Sequence, residues 1–372
     1  MIKINRPTLL LDKQKCLSNI NFMVNKAATK GLVLRPHFKS HQSHTIGRWY
    51  REAGVEKITV SSVVMAEYFM LDGWEDIAIA FPFNIHEINE TNRLASRIKL
   101  HLTVCSENTA NFLAKNITSP VGVYIKIDAG YKRTGLQSDN TREIDDILNV
   151  IKSSVNLNFT GFMVHSGETS KARSFEEVEK VHIDAQKKLA ALKRRYKSSW
   201  PRMIISTGDT PTAMMMEDFK GIDEIRPGKF VFFDLTQMHV GACDPSQISI
   251  AMACPVISKH PERRELVIYG GAIHFSKEQL ILPDGKAVYG QIVELTPNGW
   301  TDPLEDVYLA DLSQEHGIIR PNKEFFEKTE PGKILGILPA RACLSVNLMQ
   351  GPVTLENEKI DHFATVKKEY GA

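Results

Sequence analysis

Lys57–Ala80 reads KITVSSVVMAEYFMLDGWEDIAIA, and the order of its parts decides the fold. A β-branched run, Lys57–Val60 (KITV), is followed by Val63–Leu71 (VVMAEYFML) with 3.6-residue apolar spacing, and then by a second short apolar run, Ile77–Ala80 (IAIA). Strand, helix and strand in so short a stretch form a parallel βα unit, because neighbouring parallel strands need a crossover between them.

Working outward, the same alternation recurs. Further strand-like runs are Leu32–Arg35, Leu100–Val104, Val121–Ile127, Phe159–Val164, Met203–Ile205 and Ile222–Ile225, which brings the total to eight. Eight is the number that closes a (β/α)8 barrel of the TIM type. Ser106 opens a helical SENTANFLAKN, and Ser174–Tyr196 begins Glu-rich and ends Lys/Arg-rich, as a helix dipole favours. An opening helix over Asp12–Lys30 places Leu17, Ile20, Met23 or Val24, and Ala27 on one face, and Gly31 ends it. Beyond about residue 240 the texture changes to short runs broken by Gly, Pro and charge: Ile248–Ala253, Arg264–Tyr269, Val288–Thr296, Ile334–Leu338 and Val353–Leu355. These predict a C-terminal antiparallel β domain. The expected division is therefore a barrel over 9–240 and a β domain over 241–372.

Composition narrows the function classes. Of 372 residues, 46 are Lys or Arg and 44 Asp or Glu, a net charge of +2 that gives no basic field for nucleic acid or an anionic membrane. The one basic run, Lys187–Lys197, reads as the solvated face of a helix. Five widely spaced cysteines, an odd number without a CxxC pair, argue for a reducing compartment. MIKINRPTLLLDKQK offers neither a secretory apolar region nor a membrane span, so a cytoplasmic protein is expected.

Catalytic groups of such barrels sit at the carboxyl ends of the strands. Strand one ends in Arg35-Pro-His37-Phe-Lys39-Ser-His41, and alternation puts His37, Lys39 and His41 on one face. A partly desolvated lysine between potentially cationic imidazoles has its ammonium disfavoured, as a Schiff-base lysine requires. Two other readings of this stretch are a surface lysine beside polar histidines and a metal cluster of His37, His41 and His44. Strand five runs into a glycine-punctuated loop carrying Arg133, and strand six ends at His165. The loops after strands seven and eight are hydroxyl- and glycine-rich: Ser206-Thr-Gly208-Asp-Thr210-Pro-Thr, which opens a helix at Thr212–Asp218, and Arg226-Pro-Gly228. That is where such barrels bind phosphate, although STGDTPT alone also reads as a turn with a helix cap. A lysine for an imine, a phosphate cradle, an imidazole and an arginine together describe pyridoxal 5'-phosphate. No GxGxxG follows a strand, and neither GxxxxGK[ST] nor GxSxG occurs.

At this point the sequence resembles the D-threonine aldolase and D-serine dehydratase-like family, two-domain fold-type III pyridoxal phosphate enzymes related to alanine racemase. RPHFKSHQ is similar to the family's lysine box and implies that Lys39 forms the Schiff base. KIDAGYKRTG implies that Arg133 faces the pyridine nitrogen, and MVHSGE that His165 stacks on the ring. STGDTPT and EIRPGKFVFFD resemble the phosphate-binding segments, which implies roles for Ser206, Gly208, Thr210 and Gly228. LSQEHG, with His316, resembles a small-domain box. Phe230 falls where the family usually carries a tyrosine. Pro339-Ala-Arg341-Ala-Cys343 departs from the family's metal segment, since Arg341 stands where a histidine ligand is expected and a guanidinium cannot ligate a cation.

The resemblance implies that the N-terminal strand, with residues 1–8, packs with the C-terminal β domain, and that the protein is a homodimeric lyase acting on a D-configured β-hydroxy amino acid, with Lys39 as the central base. His316, Arg341 or His37 would serve the β-hydroxyl, and no metal is assigned. The competing readings are an amino acid racemase, a pyridoxal phosphate carrier without turnover, and a metal hydrolase built on His37–His44.

Overall fold

The computed structural model describes residues 3–366. They fall into two compact units, one built from residues 22–39 and 50–228, the other from residues up to 21, 40–49 and 229 onward.

The first unit is the expected barrel. Its strands are β1 (Val33–Leu34), β2 (Lys57–Val60), β3 (Asp76–Pro82), β4 (Lys99–Val104), β5 (Val121–Asp128), β6 (Leu157–Val164), β7 (Ile204–Thr207) and β8 (Glu224–Ile225). All are parallel, in the hydrogen-bonded order β1-β8-β7-β6-β5-β4-β3-β2. A single parallel bridge between His37 and Thr59 then nearly closes the ring, supported by the Thr59 amide donating to the Pro36 carbonyl at 2.9 Å. The outer helices begin where short polar side chains can cap them. Ser62, Ser106, Asn140 and Ser174 each accept from an amide in the first turn of Val63–Leu71, Glu107–Asn116, Thr141–Ser153 and Phe175–Tyr196. The basic run lies on the last of these helices, which buries Leu189, Leu192 and Tyr196 and begins with Glu176 and Glu177.

Inside the barrel the side chains are polar to an unusual degree. Arg35 donates from Nε to Glu224 Oε2 at 2.7 Å and from Nη1 to Asp76 Oδ1 at 2.6 Å. Tyr124 donates its hydroxyl to Glu224 Oε1 at 3.0 Å, and Ser206 donates to the same oxygen. Arg226 donates to Ser206 Oγ and, at 2.7 Å, to the Val164 carbonyl. Arg35, Glu224, Tyr124, Ser206 and Arg226 are each at most 4% exposed. Burial alone would raise the Glu224 carboxyl, yet Arg35, Ser206 and Arg226 hold it below its usual range. Asp76 is likewise held low against burial by His101 and Arg35.

The second unit carries an eight-stranded sheet ordered Glu265–Tyr269, His316–Arg320, Tyr308–Leu312, Gly290–Val293, Ile334–Pro339, Ile250–His260, Thr8–Leu11 and Val353–Thr354. Glu265–Tyr269 also pairs with Ile250–His260, so part of the sheet closes on itself. The pairing is antiparallel except between Thr8–Leu11 and Val353–Thr354. The N-terminal strand therefore joins the C-terminal sheet, as the resemblance implies.

Several expectations need correction. Alternation does not continue through His41, because the chain turns into a 3-10 segment at Phe38–Ser40. Phe38 is fully buried among Tyr50, Phe69 and Trp74, and seating that ring redirects the backbone. The helix after β7 is Thr210–Met215, starting two residues before the expected Thr212, because Asp209 caps it and Pro211 is tolerated in the first turn. Val288–Thr296 is broken into Ala287–Val288, Gly290–Val293 and Leu295–Thr296. Tyr308–Leu312, His316–Arg320 and the helices Lys323–Lys328 and Ala342–Met349 come in addition to the expected runs.

Removing one partner of a buried ion pair strands the other charge. Glu224→Ala is therefore expected to destabilise the protein by about 3–5 kcal/mol in urea unfolding at neutral pH. Because the Glu224 pKa is depressed in the folded state, its contribution is present above the ordinary carboxylate range. The deficit of the variant shrinks as pH falls through it.

Candidate active site

The carboxyl ends of the barrel strands gather a layer of cations around two neutral imidazoles. β1 leads through His37 to Lys39, β5 carries Lys126 and the Arg133 loop, β6 ends at His165, and Arg226 follows β8. The mutual influence of these groups places them together. Burial, then Lys39, Arg226, His165 and Lys126, hold the His37 imidazole well below its ordinary value. Burial, Lys39, Lys126 and Arg133 bring His165 down to about 3, against the effect of its bond to the Gly208 carbonyl. Both imidazoles are therefore neutral at physiological pH.

Their hydrogen bonds fix the two rings in opposite senses. His37 Nδ1 accepts the Lys39 amide at 3.4 Å, whereas His165 Nδ1 donates to the Gly208 carbonyl. Lys39 is exposed, and Arg133 is exposed with its guanidinium 4.9 Å above the Tyr131 ring. Tyr131 in turn stands edge-on to His165, centroids 5.9 Å apart. A Cβ at Gly167 would lie 2.4 Å from Tyr131 Cε1, so a larger residue there would displace the ring. The Asp128 carboxylate shapes the loop by accepting the amides of Gly130 at 2.9 Å and Lys132 at 3.0 Å, and Lys188 reaches the Ala129 carbonyl.

After β7 the chain passes Gly208, where a Cβ would approach Arg226 Cβ to 3.0 Å and its carbonyl to 3.2 Å. Asp209 accepts the Thr212 amide at 2.7 Å and the Thr169 hydroxyl at 3.0 Å. Thr210 and Gly228 are buried beside these turns. Ser206 is fully buried, and its hydroxyl is engaged with Glu224 and Arg226.

The barrel unit thus brings together Lys39, Arg133, His165, Ser206, Gly208, Thr210 and Gly228. His316 and Arg341 belong to the other unit. His316 is exposed at the start of its strand, while Arg341 precedes the helix Ala342–Met349 and its Nε lies 3.7 Å from Glu278. Of the histidines weighed as a metal cluster, His37 is in the barrel unit and His41 and His44 are not. Among the described residues no three His, Cys, Asp or Glu side chains are placed to hold a metal ion. No helix among them is long and apolar enough to cross a membrane.

Sequence reasoning missed Lys126, Arg226 and Asp209. The first was available from alternation in VGVYIKID, which sets Tyr124, Lys126 and Asp128 on one face of the strand; the second stands two residues before Gly228.

Comparison with known proteins adds the following. The family described as "Alanine racemase, N-terminal domain" matches residues 11–236, and "Putative serine dehydratase domain" matches 249–354. The chain is 26% identical over 365 residues to D-threo-3-hydroxyaspartate dehydratase of Delftia sp. (strain HT23), covering 92% of each chain. It is 23% identical over 386 residues to D-serine dehydratase of Dictyostelium discoideum, covering 95% of this chain and 94% of that one. Among solved structures, a cysteine-to-alanine mutant of D-threo-3-hydroxyaspartate dehydratase in the metal-free form superimposes with a TM-score of 0.89 at 23% identity. That match covers 97% of this chain and 98% of the other.

Burial pushes the Asp209 carboxyl up to about 6 against the bonds from Thr212 and Thr169, with Glu168 adding to the rise. A raised carboxyl favours folding while protonated, and that contribution is lost as pH rises through about 6. Asparagine keeps the capping oxygen without the charge. At pH 8, Asp209→Asn is expected to be at least as stable as the native protein in chemical denaturation, whereas Asp209→Ala loses about 1 kcal/mol of capping.

Proposed function

Because the chain belongs to the alanine racemase N-terminal domain family, we propose that it is a pyridoxal-phosphate-dependent lyase that dehydrates or cleaves a D-configured β-hydroxy amino acid. The family is pyridoxal-phosphate-dependent, and the relatives named above are lyases of D-hydroxy amino acids. The observation that carries the reading is the gathering of Lys39, Lys126, Arg133 and Arg226 around two uncharged imidazoles at the carboxyl ends of the barrel strands, a basic setting that suits a phosphorylated aldehyde. When bound, pyridoxal phosphate supplies a sink for the electrons left at the substrate Cα.

In this reading Lys39 would hold the cofactor, and its amine, as a free base, would move the proton at the substrate Cα. The turns at Gly208, Thr210 and Gly228 receive the phosphate, and Ser206 acts by orienting Arg226. Arg133 serves the pyridine nitrogen, where a guanidinium discourages protonation and restrains the electron sink. His165 serves the ring face. His316 and Arg341 serve the β-hydroxyl of the substrate. Residues 9–240 form the cofactor-binding part and 241–372 with 1–8 the remainder, in a cytoplasmic homodimer.

The residues present do not fit a divalent metal. A guanidinium offers no lone pair, and Cys343 alone makes no zinc site. Arg341 therefore stands as the fixed positive charge of that segment, and no step is derived through a metal.

An absorption spectrum before and after borohydride, with peptide mass spectrometry, tests the cofactor. The expected result is a visible band that borohydride abolishes and a reduced pyridoxyl adduct on Lys39. Lys39→Ala is expected to lower turnover by at least about 10²-fold. Release of ammonia with a 2-oxo acid identifies dehydration, and release of an aldehyde with glycine identifies cleavage. Exchange of the α-proton with the hydroxyl retained identifies a racemase and overturns the lyase.

Chelation tests the metal. Turnover is expected to survive exhaustive EDTA treatment within about twofold, in protein holding far less than one metal ion per chain by elemental analysis.

A further inference from the structure

The loop over 129–135 carries an arginine whose guanidinium is given its place by a ring. Arg133 is exposed and, among the described residues, makes no hydrogen bond or ion pair; its contact is with Tyr131, whose ring centroid lies 4.9 Å from Cζ. The Tyr131 ring is itself held. It stands nearly perpendicular to the His165 imidazole, at an interplanar angle of 83° with centroids 5.9 Å apart. Gly167 leaves it a slot, since a Cβ there would come within 2.4 Å of Cε1, 2.5 Å of Cζ and 2.8 Å of Cδ1. His165 is fixed in turn through the bond from its Nδ1 to the Gly208 carbonyl. The root of the loop is pinned as well: Asp128 accepts the amides of Gly130 and Lys132, and Leu136–Gln137 returns to pair with Ile127 and Asp128. A chain of contacts therefore runs from the end of β6 through Tyr131 to Arg133, all inside the barrel unit.

We propose that Tyr131 is a positioning residue: its ring is the platform that holds the Arg133 guanidinium in a fixed relation to His165, so that the arginine meets the cofactor already oriented. A long exposed side chain without a partner samples many rotamers, and confining them on binding costs affinity. A guanidinium that rests over an aromatic face keeps its N–H donors available, so the contact orders the side chain without using the groups that would meet a ligand. Phenylalanine offers the same face and edge, so the ring and not the hydroxyl is what position 131 requires.

The inference rests on the reading of this site as one for pyridoxal phosphate, with Arg133 facing the cofactor. The full chain, freed of cofactor, is titrated with pyridoxal phosphate and Kd is read from the absorption change, for variants whose urea unfolding shows them to be folded. Tyr131→Leu is expected to weaken binding by about two- to fivefold, the worth of an exposed cation–π contact, and Tyr131→Phe to bind as the native chain does. In an Arg133→Gln background, which itself binds more weakly, Tyr131→Leu is expected to make no further difference. A merely structural role would give the same loss in both backgrounds, and that result overturns the proposal, as does a Tyr131→Phe variant as weak as Tyr131→Leu. Arg133→Gln binding as tightly as the native chain overturns it too, while leaving the cofactor reading intact. No binding of pyridoxal phosphate by the native chain overturns that reading and this inference with it. Where Tyr131→Leu fails to fold, Gly167→Ala, which displaces the same ring, decides alone: a loss that disappears in the Arg133→Gln background is expected, and unchanged binding or a loss in both backgrounds overturns the proposal.

Discussion

The ion pair between Arg35 and Glu224 is the constraint on which the barrel depends. Its interior is too narrow for water to solvate these groups freely, and transfer of an unpaired charge into such a place costs several kcal/mol. Glu224 answers by accepting from Arg35, Tyr124 and Ser206, and Asp76 takes the remaining fork of the guanidinium. β1, β3, β5, β7 and β8 are thereby fastened by side chains as well as by their backbone ladders. A strand shifted by one residue would turn its member of the network outward, so the network also fixes the register.

The neutrality of that lower network makes its upper boundary informative. Arg226 is the last member, tied below to Ser206 and beside it to the Val164 carbonyl. Near it at the carboxyl ends lie Lys126, Arg133 and Lys39; burial, then Arg226, Arg133 and Lys39, bring the Lys126 ammonium down to about 7. A cluster of cations of this kind favours an anionic ligand, which is the physical argument behind the proposed phosphorylated cofactor.

Much of this arrangement is written in local sequence. Lys57–Val60 and Val63–Leu71 have the expected bounds because β-branched residues, then a serine cap and a 3.6-residue period, all favour the same state. Ser106 and Ser174 mark helix starts for the same reason. The turn at Phe38–Ser40 was not legible, since it answers to three aromatic rings that arrive from later in the chain. Strands such as Tyr308–Leu312 were hidden because their residues are only partly buried and the ladder shifts register between Leu309 and Asp311, which spoils the alternation. Lys126 was legible in principle. Within KIDAGYKRTG the family resemblance singles out the arginine, whereas strand alternation over Val121–Asp128 singles out the lysine.

The two imidazoles sharpen what the mouth can do. His37 accepts at Nδ1, so its proton resides on Nε2; His165 donates from Nδ1, so its lone pair resides on Nε2. Since both are held neutral, the layer offers one imidazole donor and one imidazole acceptor that do not interconvert on mild changes of pH. A cationic imidazole at either place would be buried and would oppose Lys39 and Lys126, so burial first, and then the surrounding ammonium and guanidinium groups, keep the histidines uncharged. The histidines in turn add no charge that would push the amines further.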